Sequence, residues 1–134
     1  MGGLEGASLS IKLKYLEGWN NRRKVIAKKY QDSFKNPKIK FQVQPEGHES
    51  VFHLFVITTE DRDHLAKYLN ENNIFPGLHY PVPCHLQKAY ASLGHKQGDF
   101  PNSEYLASHC LSLPMYAELT DEEVDYVIQK INQY

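Results

Sequence analysis

The chain has 134 residues, 41% hydrophobic and 23% charged, which is the size and composition of one globular domain. Its longest apolar run, residues 54–57, is far shorter than the roughly 20 residues that span a bilayer, and no secretory signal is visible. Two cysteines, Cys84 and Cys110, cannot form a disulfide framework. These features exclude a fibrous or membrane-spanning protein and predict a cytoplasmic location.

The net charge of −1 hides an uneven distribution along the chain. Residues 1–42 carry ten basic and three acidic side chains, a net charge of +7, whereas residues 43–134 carry a net charge of −8. A basic segment around Trp19 can bind nucleic acid, face solvent, or dock on an acidic neighbour. The overall isoelectric point of about 6.6 favours the last two interpretations.

The first half of the chain predicts a helix followed by two strands. Residues 1–8 are glycine-rich and aperiodic, so we expect an added or disordered segment, with the domain itself over residues 9–134. Apolar spacing predicts a helix from about Leu9 to Tyr30, with a bend or a close contact at Gly18. Two β-prone stretches then follow, over residues 39–43 and 50–58.

The second half predicts four helices and two short strands. Acidic residues after Thr59 indicate a capped helix start, and Gly94 is typical of a helix end. The sequence Thr120–Glu123 matches a capping box, followed by apolar residues at helical spacing. The remaining predictions are strands at residues 74–79 and 111–115 and helices at residues 85–93 and 102–110.

These elements predict an α+β fold in which helices flank a small antiparallel or mixed sheet, with a long helix at the N-terminus. The sequence contains no glycine-rich phosphate loop, Cys-x-x-Cys or other self-contained catalytic motif. The adjacent pairs Cys84-His85 and His109-Cys110 fit neither the usual spacing of zinc ligands nor a Cys–His nucleophile. We therefore expect no metal site and no catalytic residue.

The most unusual stretch is residues 77–85, in which two histidines and a tyrosine lie among prolines. Prolines stiffen the backbone, so such a loop can present hydrogen-bonding and stacking groups at low entropic cost. The residues alone leave two interpretations open. The loop is either a ligand site or a rigid surface connection with Tyr80 packed inward.

The same stretch resembles a known family. Residues 79–87, His-Tyr-Pro-Val-Pro-Cys-His-Leu-Gln, are similar to the His-Tyr-Pro-x-Pro-x-His-x-Gln segment of DegT/StrS-type aminotransferases. These enzymes use pyridoxal phosphate (PLP) to aminate nucleotide-linked keto-sugars. Further similar motifs follow in the family's order, at residues 12–23, 53–57, 99–104, 111–116 and 120–123.

The resemblance implies the C-terminal small domain of such an enzyme rather than a complete one. The family's large PLP-binding domain carries the lysine that holds PLP, an aspartate for the pyridinium nitrogen and the phosphate-binding groups, and none of these motifs occurs here. The resemblance therefore implies PLP in the intact enzyme and none bound to this chain, which we expect to be inactive alone. It further implies the missing large domain and a nucleotide-sugar substrate as partners, in a homodimer.

The resemblance also implies which side chains form the site. His79, Tyr80 and His85 would line the mouth of the active site and bind the nucleotide sugar or the carboxylate of the amino donor, and His53 is a fourth substrate-binding candidate. Two other functions remain as alternatives. The chain could be a stand-alone ligand-binding or regulatory module, or a nucleic-acid-binding domain that uses its basic N-terminal helix.

Overall fold

The structure is a computed structural model that describes residues 2–134. It contains five α-helices within these residues, α1 (Gly3–Leu13), α2 (Leu16–Ser33), α3 (Arg62–Glu71), α4 (Pro101–His109) and α5 (Asp121–Gln133). Three strands, β1 (Lys40–Phe41), β2 (Phe55–Thr58) and β3 (Cys110–Leu113), form one sheet. Two short 3-10 helices lie at Cys84–Leu86 and Lys88–Leu93. No helix in this described part has both the length and the apolar character of a membrane span.

The sheet is antiparallel throughout, with β2 between its two neighbours. Phe41 pairs with Ile57 on one side of β2, and Phe55 pairs with Leu113 on the other. An isolated bridge between Gly77 and Ser112 extends the β3 edge by one residue. The predicted α+β class, with a small antiparallel sheet flanked by helices, is therefore confirmed.

The hydrophobic core lies where the sheet meets α2, α3 and α5. Its largest fully buried side chain is Tyr30, whose ring contacts Phe55 edge-on at a centroid distance of 5.0 Å. The Tyr30 hydroxyl donates a hydrogen bond of 3.1 Å to the carbonyl oxygen of Pro114, so its polar group is satisfied. Other buried core residues are Ile26, Ala27, Ile57, Leu65, Leu69, Leu111 and Leu119.

Helix α5 forms as its sequence predicts. The Thr120 hydroxyl accepts the Glu123 N–H at 3.2 Å, and the Glu123 carboxylate accepts the Thr120 N–H at 2.9 Å. This reciprocal pair satisfies two N–H groups that the first helical turn leaves free. All four apolar positions of the predicted stripe are buried, namely Val124, Val127, Ile128 and Ile131.

The N-terminal helix differs from its prediction. It begins at Gly3 rather than Leu9, and it breaks at residues 14–15 rather than bending at Gly18, which lies within α2. At the break, the Lys14 and Tyr15 N–H groups bond to carbonyls three residues back, which tightens the last turn of α1. Residues 3–8, which the sequence gives as an added or disordered segment, are helical as part of α1, and Met1 lies outside the described residues.

Three predicted strands are shorter in the structure. The stretch 39–43 keeps two strand residues, and the stretch 50–58 becomes a strand only at Phe55. Phe52 has a φ of +48°, and this left-handed backbone interrupts an extended strand. The predicted strand over residues 74–79 is reduced to the Gly77–Ser112 bridge.

The uneven charge distribution has a structural explanation in the packing of α2 beside α5. Lys29 pairs with Asp125 at 2.7 Å, and Arg22 pairs with Asp121 at 2.8 Å. The Arg22 hydrogen bond and positive charge hold the pKa of Asp121 below its usual range. These contacts support the interpretation that the basic helix docks on an acidic neighbour within the chain.

Candidate functional site

The loop that follows Gly77 encloses one side of a cavity of about 560 Å³. The two 3-10 helices and α4 complete its wall. Its lining is mostly aromatic, aliphatic and imidazole, with the thiols of both cysteines. The lining residues are His79, Tyr80, Val82, Pro83, Cys84, His85, Gln87, Tyr90, Leu93, His95, Phe100, Ser103, Leu106, Ala107 and Cys110.

His79 is held against the edge of the sheet. Its Nδ1 lies 3.0 Å from the hydroxyl oxygen of Ser112, a buried residue of β3. Gly77 exchanges two backbone hydrogen bonds with Ser112, of 2.9 and 2.8 Å, and a Cβ at residue 77 would collide with the His79 ring. Glycine is therefore needed where the backbone and the imidazole meet. The sheet edge thus fixes the position of His79.

Tyr80 projects from the same loop and is 72% exposed. Its ring meets the His79 ring edge-on, with a centroid distance of 5.6 Å. An exposed tyrosine beside a fixed imidazole offers a stacking face and a hydroxyl to a ligand. Tyr80 is therefore not packed inward in this structure.

His85 lies deeper and is paired with a carboxylate. Its Nε2 donates a 3.0 Å hydrogen bond to Glu104 of α4, and the two side chains are only 8% and 18% exposed. Glu104 also accepts the backbone N–H of Gly98 at 2.8 Å. The Gly98 hydrogen bond, followed by the contact with His85, holds the pKa of Glu104 below its usual range. The carboxylate is therefore ionised at neutral pH.

His53 does not join these residues. It is exposed, lies just before β2, and is absent from the cavity lining. The structure therefore brings together three of the four residues predicted from the sequence, His79, Tyr80 and His85, and leaves His53 apart.

Of the other histidines and cysteines, His109 lies outside the cavity lining and Cys110 lies within it. His109 stacks on Tyr105 at a centroid distance of 4.0 Å and lies 3.2 Å from a carboxylate oxygen of Glu60. The Cys110 thiol faces the carbonyl oxygen of His79 at 3.9 Å. Within residues 2–134, no three His, Cys, Asp or Glu side chains converge in a way that would hold a metal ion.

The chemistry of the cavity suits the binding of a polar ligand. Imidazole, phenol and amide groups can orient a polar ligand, and the surrounding rings can pack against a sugar or a base. No lysine or arginine is among its lining residues in the described part of the chain. PLP needs a lysine for its aldehyde and donors for its phosphate, so the residues of this cavity alone do not fit PLP.

Sequence reasoning did not identify several residues of this site. The sequence indicates Glu104 only as part of the motif at residues 99–104. Its hydrogen-bond partners His85, Gly98 and Phe100 lie four to nineteen residues away, so no local pattern connects them. Tyr90, His95 and Phe100 also line the cavity. The usable signal was the run of aromatic and imidazole residues between the proline-rich loop and α4.

The fold and cavity define a small α+β domain with an imidazole-lined cavity. Comparison with known proteins identifies the family of this domain. The chain belongs to the DegT/DnrJ/EryC1/StrS aminotransferase family, whose profile matches residues 1–132. Family members use PLP, and a relative from Streptococcus pneumoniae has been solved in a PLP form. The resemblance found in the sequence is therefore confirmed.

Individual relatives agree with this relationship. The chain is 43% identical to the erythromycin biosynthesis sensory transduction protein EryC1 of Saccharopolyspora erythraea, covering 93% of this chain and 34% of EryC1. It is 41% identical to the dTDP-3-amino-3,6-dideoxy-α-D-galactopyranose transaminase of Aneurinibacillus thermoaerophilus, covering 98% of this chain and 36% of that enzyme.

A solved structure shows the same fold. The chain matches DesV from S. venezuelae with a TM-score of 0.91 and 36% identity, covering 95% of this chain and 34% of DesV. The chain therefore spans about a third of the length of the relatives that it matches.

Proposed function

We propose that this chain is the C-terminal domain of a PLP-dependent aminotransferase that aminates nucleotide-linked keto-sugars, and that its cavity binds and orients the sugar substrate. The observation that carries this proposal is the convergence of His79, Tyr80 and His85 on one cavity, in a chain that is 41% identical to a dTDP-sugar transaminase over 98% of its length. The dTDP-sugar transaminases among the relatives support the substrate class.

In this proposal the chain's own residues bind and orient. His79 donates a hydrogen bond to an anionic or carbonyl oxygen of the sugar nucleotide or of the amino-donor carboxylate, and His85, whose Nε2–H is bound to Glu104, accepts one from a hydroxyl or N–H group of the substrate. Tyr80 contributes a stacking face and a hydroxyl at the cavity mouth. PLP, when bound in the whole enzyme, supplies the electron sink for amino transfer.

We place the groups that hold PLP outside this chain. The absence of lysine and arginine from the described cavity lining supports this division. Exposed apolar side chains also support a larger assembly, since α1 buries none of its residues and leaves Leu4, Leu9 and Leu13 in solvent. The large PLP-binding domain is the partner we assign to these side chains. The homodimer and the cytoplasmic location predicted from the sequence remain part of this proposal.

A chimaera tests the function. The C-terminal third of the Aneurinibacillus thermoaerophilus transaminase is replaced by this chain, and amino transfer to the dTDP-keto-sugar is measured. We expect activity, with kcat/KM reduced about ten-fold or more by His79→Ala or His85→Ala, because each removes a hydrogen bond to the substrate and leaves its partner unpaired. His48→Ala, which changes an exposed histidine on a turn, is the matched control.

The result that contradicts the proposal is an active chimaera in which both cavity variants behave like the control. Far-ultraviolet circular dichroism and the PLP absorbance of each chimaera show whether a loss of activity reflects lost folding or cofactor. Only a folded, PLP-loaded chimaera enters the comparison.

A stand-alone ligand-binding module is the second candidate, because the cavity is formed by this chain alone. It predicts that a nucleotide sugar shifts the NMR resonances of His79 and Tyr80 in the isolated chain, with saturation. A nucleic-acid-binding role is less well supported, since Arg22, Lys24 and Lys29 are engaged in ion pairs within the chain. It would require salt-sensitive binding that neutralising these residues abolishes.

A further inference from the structure

Three N–H groups from two segments of the chain converge on the carboxylate of Glu104, in the first turn of α4. His85 donates from Nε2 at 3.0 Å, Gly98 donates from its backbone at 2.8 and 3.1 Å to the two oxygens, and the Phe100 N–H lies at 3.5 Å. One side chain therefore joins the 3-10 helix that carries His85, the loop before α4, and α4 itself.

The pairing determines which nitrogen of His85 faces a ligand. An ionised carboxylate only accepts hydrogen bonds, so Nε2 of His85 must carry a proton. In the neutral imidazole this leaves Nδ1 as the unprotonated acceptor, and within residues 2–134 Nδ1 makes no hydrogen bond. Nδ1 is thus the ring nitrogen available to a ligand in the cavity that His85 lines.

Glu104 also fixes the wall of the cavity around His85. The Phe100 ring packs on the His85 ring at a centroid distance of 4.8 Å and on the His95 ring at 5.1 Å. The Glu104 carboxylate holds both the Phe100 backbone and the His85 ring, so it sets their separation. The other titratable groups of the cavity are His79, Tyr80, Cys84, Tyr90, His95 and Cys110, and none of them is a carboxylate.

We propose that Glu104 is a positioning residue of the substrate site. Its carboxylate fixes the Nε2–H tautomer and the orientation of His85, and it holds the residue 98–100 loop over the cavity. This inference rests on the proposed function in one respect, namely that His85 contacts the substrate. The positioning role itself can be measured on the isolated chain without any ligand.

The test is ¹⁵N NMR of the histidine rings in the full chain at about pH 8, where neutral imidazole dominates. We expect wild-type His85 to show a protonated Nε2 and an unprotonated Nδ1. Glu104→Gln removes the charge but keeps the shape, and its amide can either donate or accept. The ratio of the two His85 tautomers should then shift by about ten-fold, as expected for losing a hydrogen bond to a charged group.

The control is Glu60→Gln, which removes the carboxylate partner of His109 in the same way. It should change the resonances of His109 and leave those of His85 unchanged. A structural role for Glu104 without control of the tautomer would disturb the loop and leave the His85 ratio unaltered. That result, or a wild-type His85 protonated at Nδ1, overturns the proposal.

If the Glu104→Gln chain fails to fold, a second measurement on the wild-type chain tests the proposal. In wild type, the Gly98 amide proton and the Glu104 side-chain carbonyl carbon should titrate with one midpoint as acid is added, because they share a hydrogen bond. Different midpoints overturn the proposal. Neither measurement involves substrate, so failure here is distinct from failure of the chimaera assay.

Discussion

Two regions of this molecule are held together by different forces. The core between the sheet, α2 and α5 is maintained by buried apolar side chains such as Ile57, Leu111 and Ile131, each fully buried. The segment from residue 78 to 103 has no fully buried residue, and hydrogen bonds to Ser112 and Glu104 define its geometry. A segment with few apolar contacts is typical of binding sites, where the ligand or a partner surface supplies the missing contacts. We therefore expect core substitutions to affect stability and site substitutions to affect binding.

The largest effect should come from the core. Ile57→Ala removes a fully buried side chain from the central strand and leaves a cavity, which should lower the free energy of unfolding by about 3 kcal/mol. Urea denaturation measures this change. Val43→Ala, at a residue 86% exposed, is the control and should change the free energy by less than about 0.5 kcal/mol. Equal effects of the two substitutions would contradict the assignment of the core.

The next effect should come from the start of α5. Thr120→Ala removes the hydroxyl that accepts the Glu123 N–H, and the loss of such a cap costs about 1 kcal/mol. Thr120→Ser keeps the oxygen and should retain most of the stability in the same urea experiment. If the alanine and serine variants unfold alike, the capping box does not stabilise this helix.

The ion pair between Arg22 and Asp121, at the edge of the core, should make the stability depend on pH. The pKa of Asp121 is lowered by Arg22, so its contribution to stability is complete above the ordinary carboxyl pKa and is lost as the pH falls through the lowered value. Asp121→Asn should therefore flatten the dependence of the unfolding free energy on pH in the acid range, as the pH falls below the ordinary carboxyl pKa. An unchanged slope would mean that the Arg22–Asp121 pair does not link α2 to α5.

The smallest effect on stability should come from the site. Tyr80→Ala, at an exposed position, should change the free energy of unfolding by less than about 0.5 kcal/mol. In the chimaeric transaminase the same substitution should raise the KM for the sugar nucleotide, because it removes a contact face at the mouth of the cavity. A substantial loss of stability with no change in KM would contradict the assignment of stability to the core and of binding to the site.

The sequence predicted best where local signals agree with burial. Helix α5 has both a capping box and a helical apolar stripe, and both are confirmed. Gly94 ends its 3-10 helix with a φ of +76°, as predicted for a helix end. By contrast, α1 buries no residue, so its periodicity carried little information about where it starts or breaks.

The site was predictable only where it follows one stretch of sequence. His79, Tyr80 and His85 lie within seven residues, and the resemblance to a family motif named all three. Glu104 became evident only when the fold brought the Gly98 backbone and the His85 ring to its carboxylate. The position of His53 in the 53–57 strand motif does not indicate whether its side chain lines the cavity. Its prediction as a substrate-binding residue therefore has no structural basis in the sequence.

Our central proposal is that this chain orients a substrate and has no cofactor site of its own. It is tested most directly by titrating the isolated chain with PLP and following the absorbance of PLP. We expect only a weak, non-saturating change from exposed lysines. A stoichiometric, saturable change that is abolished by replacing one lysine would contradict the claim, because it would place a PLP site within this domain.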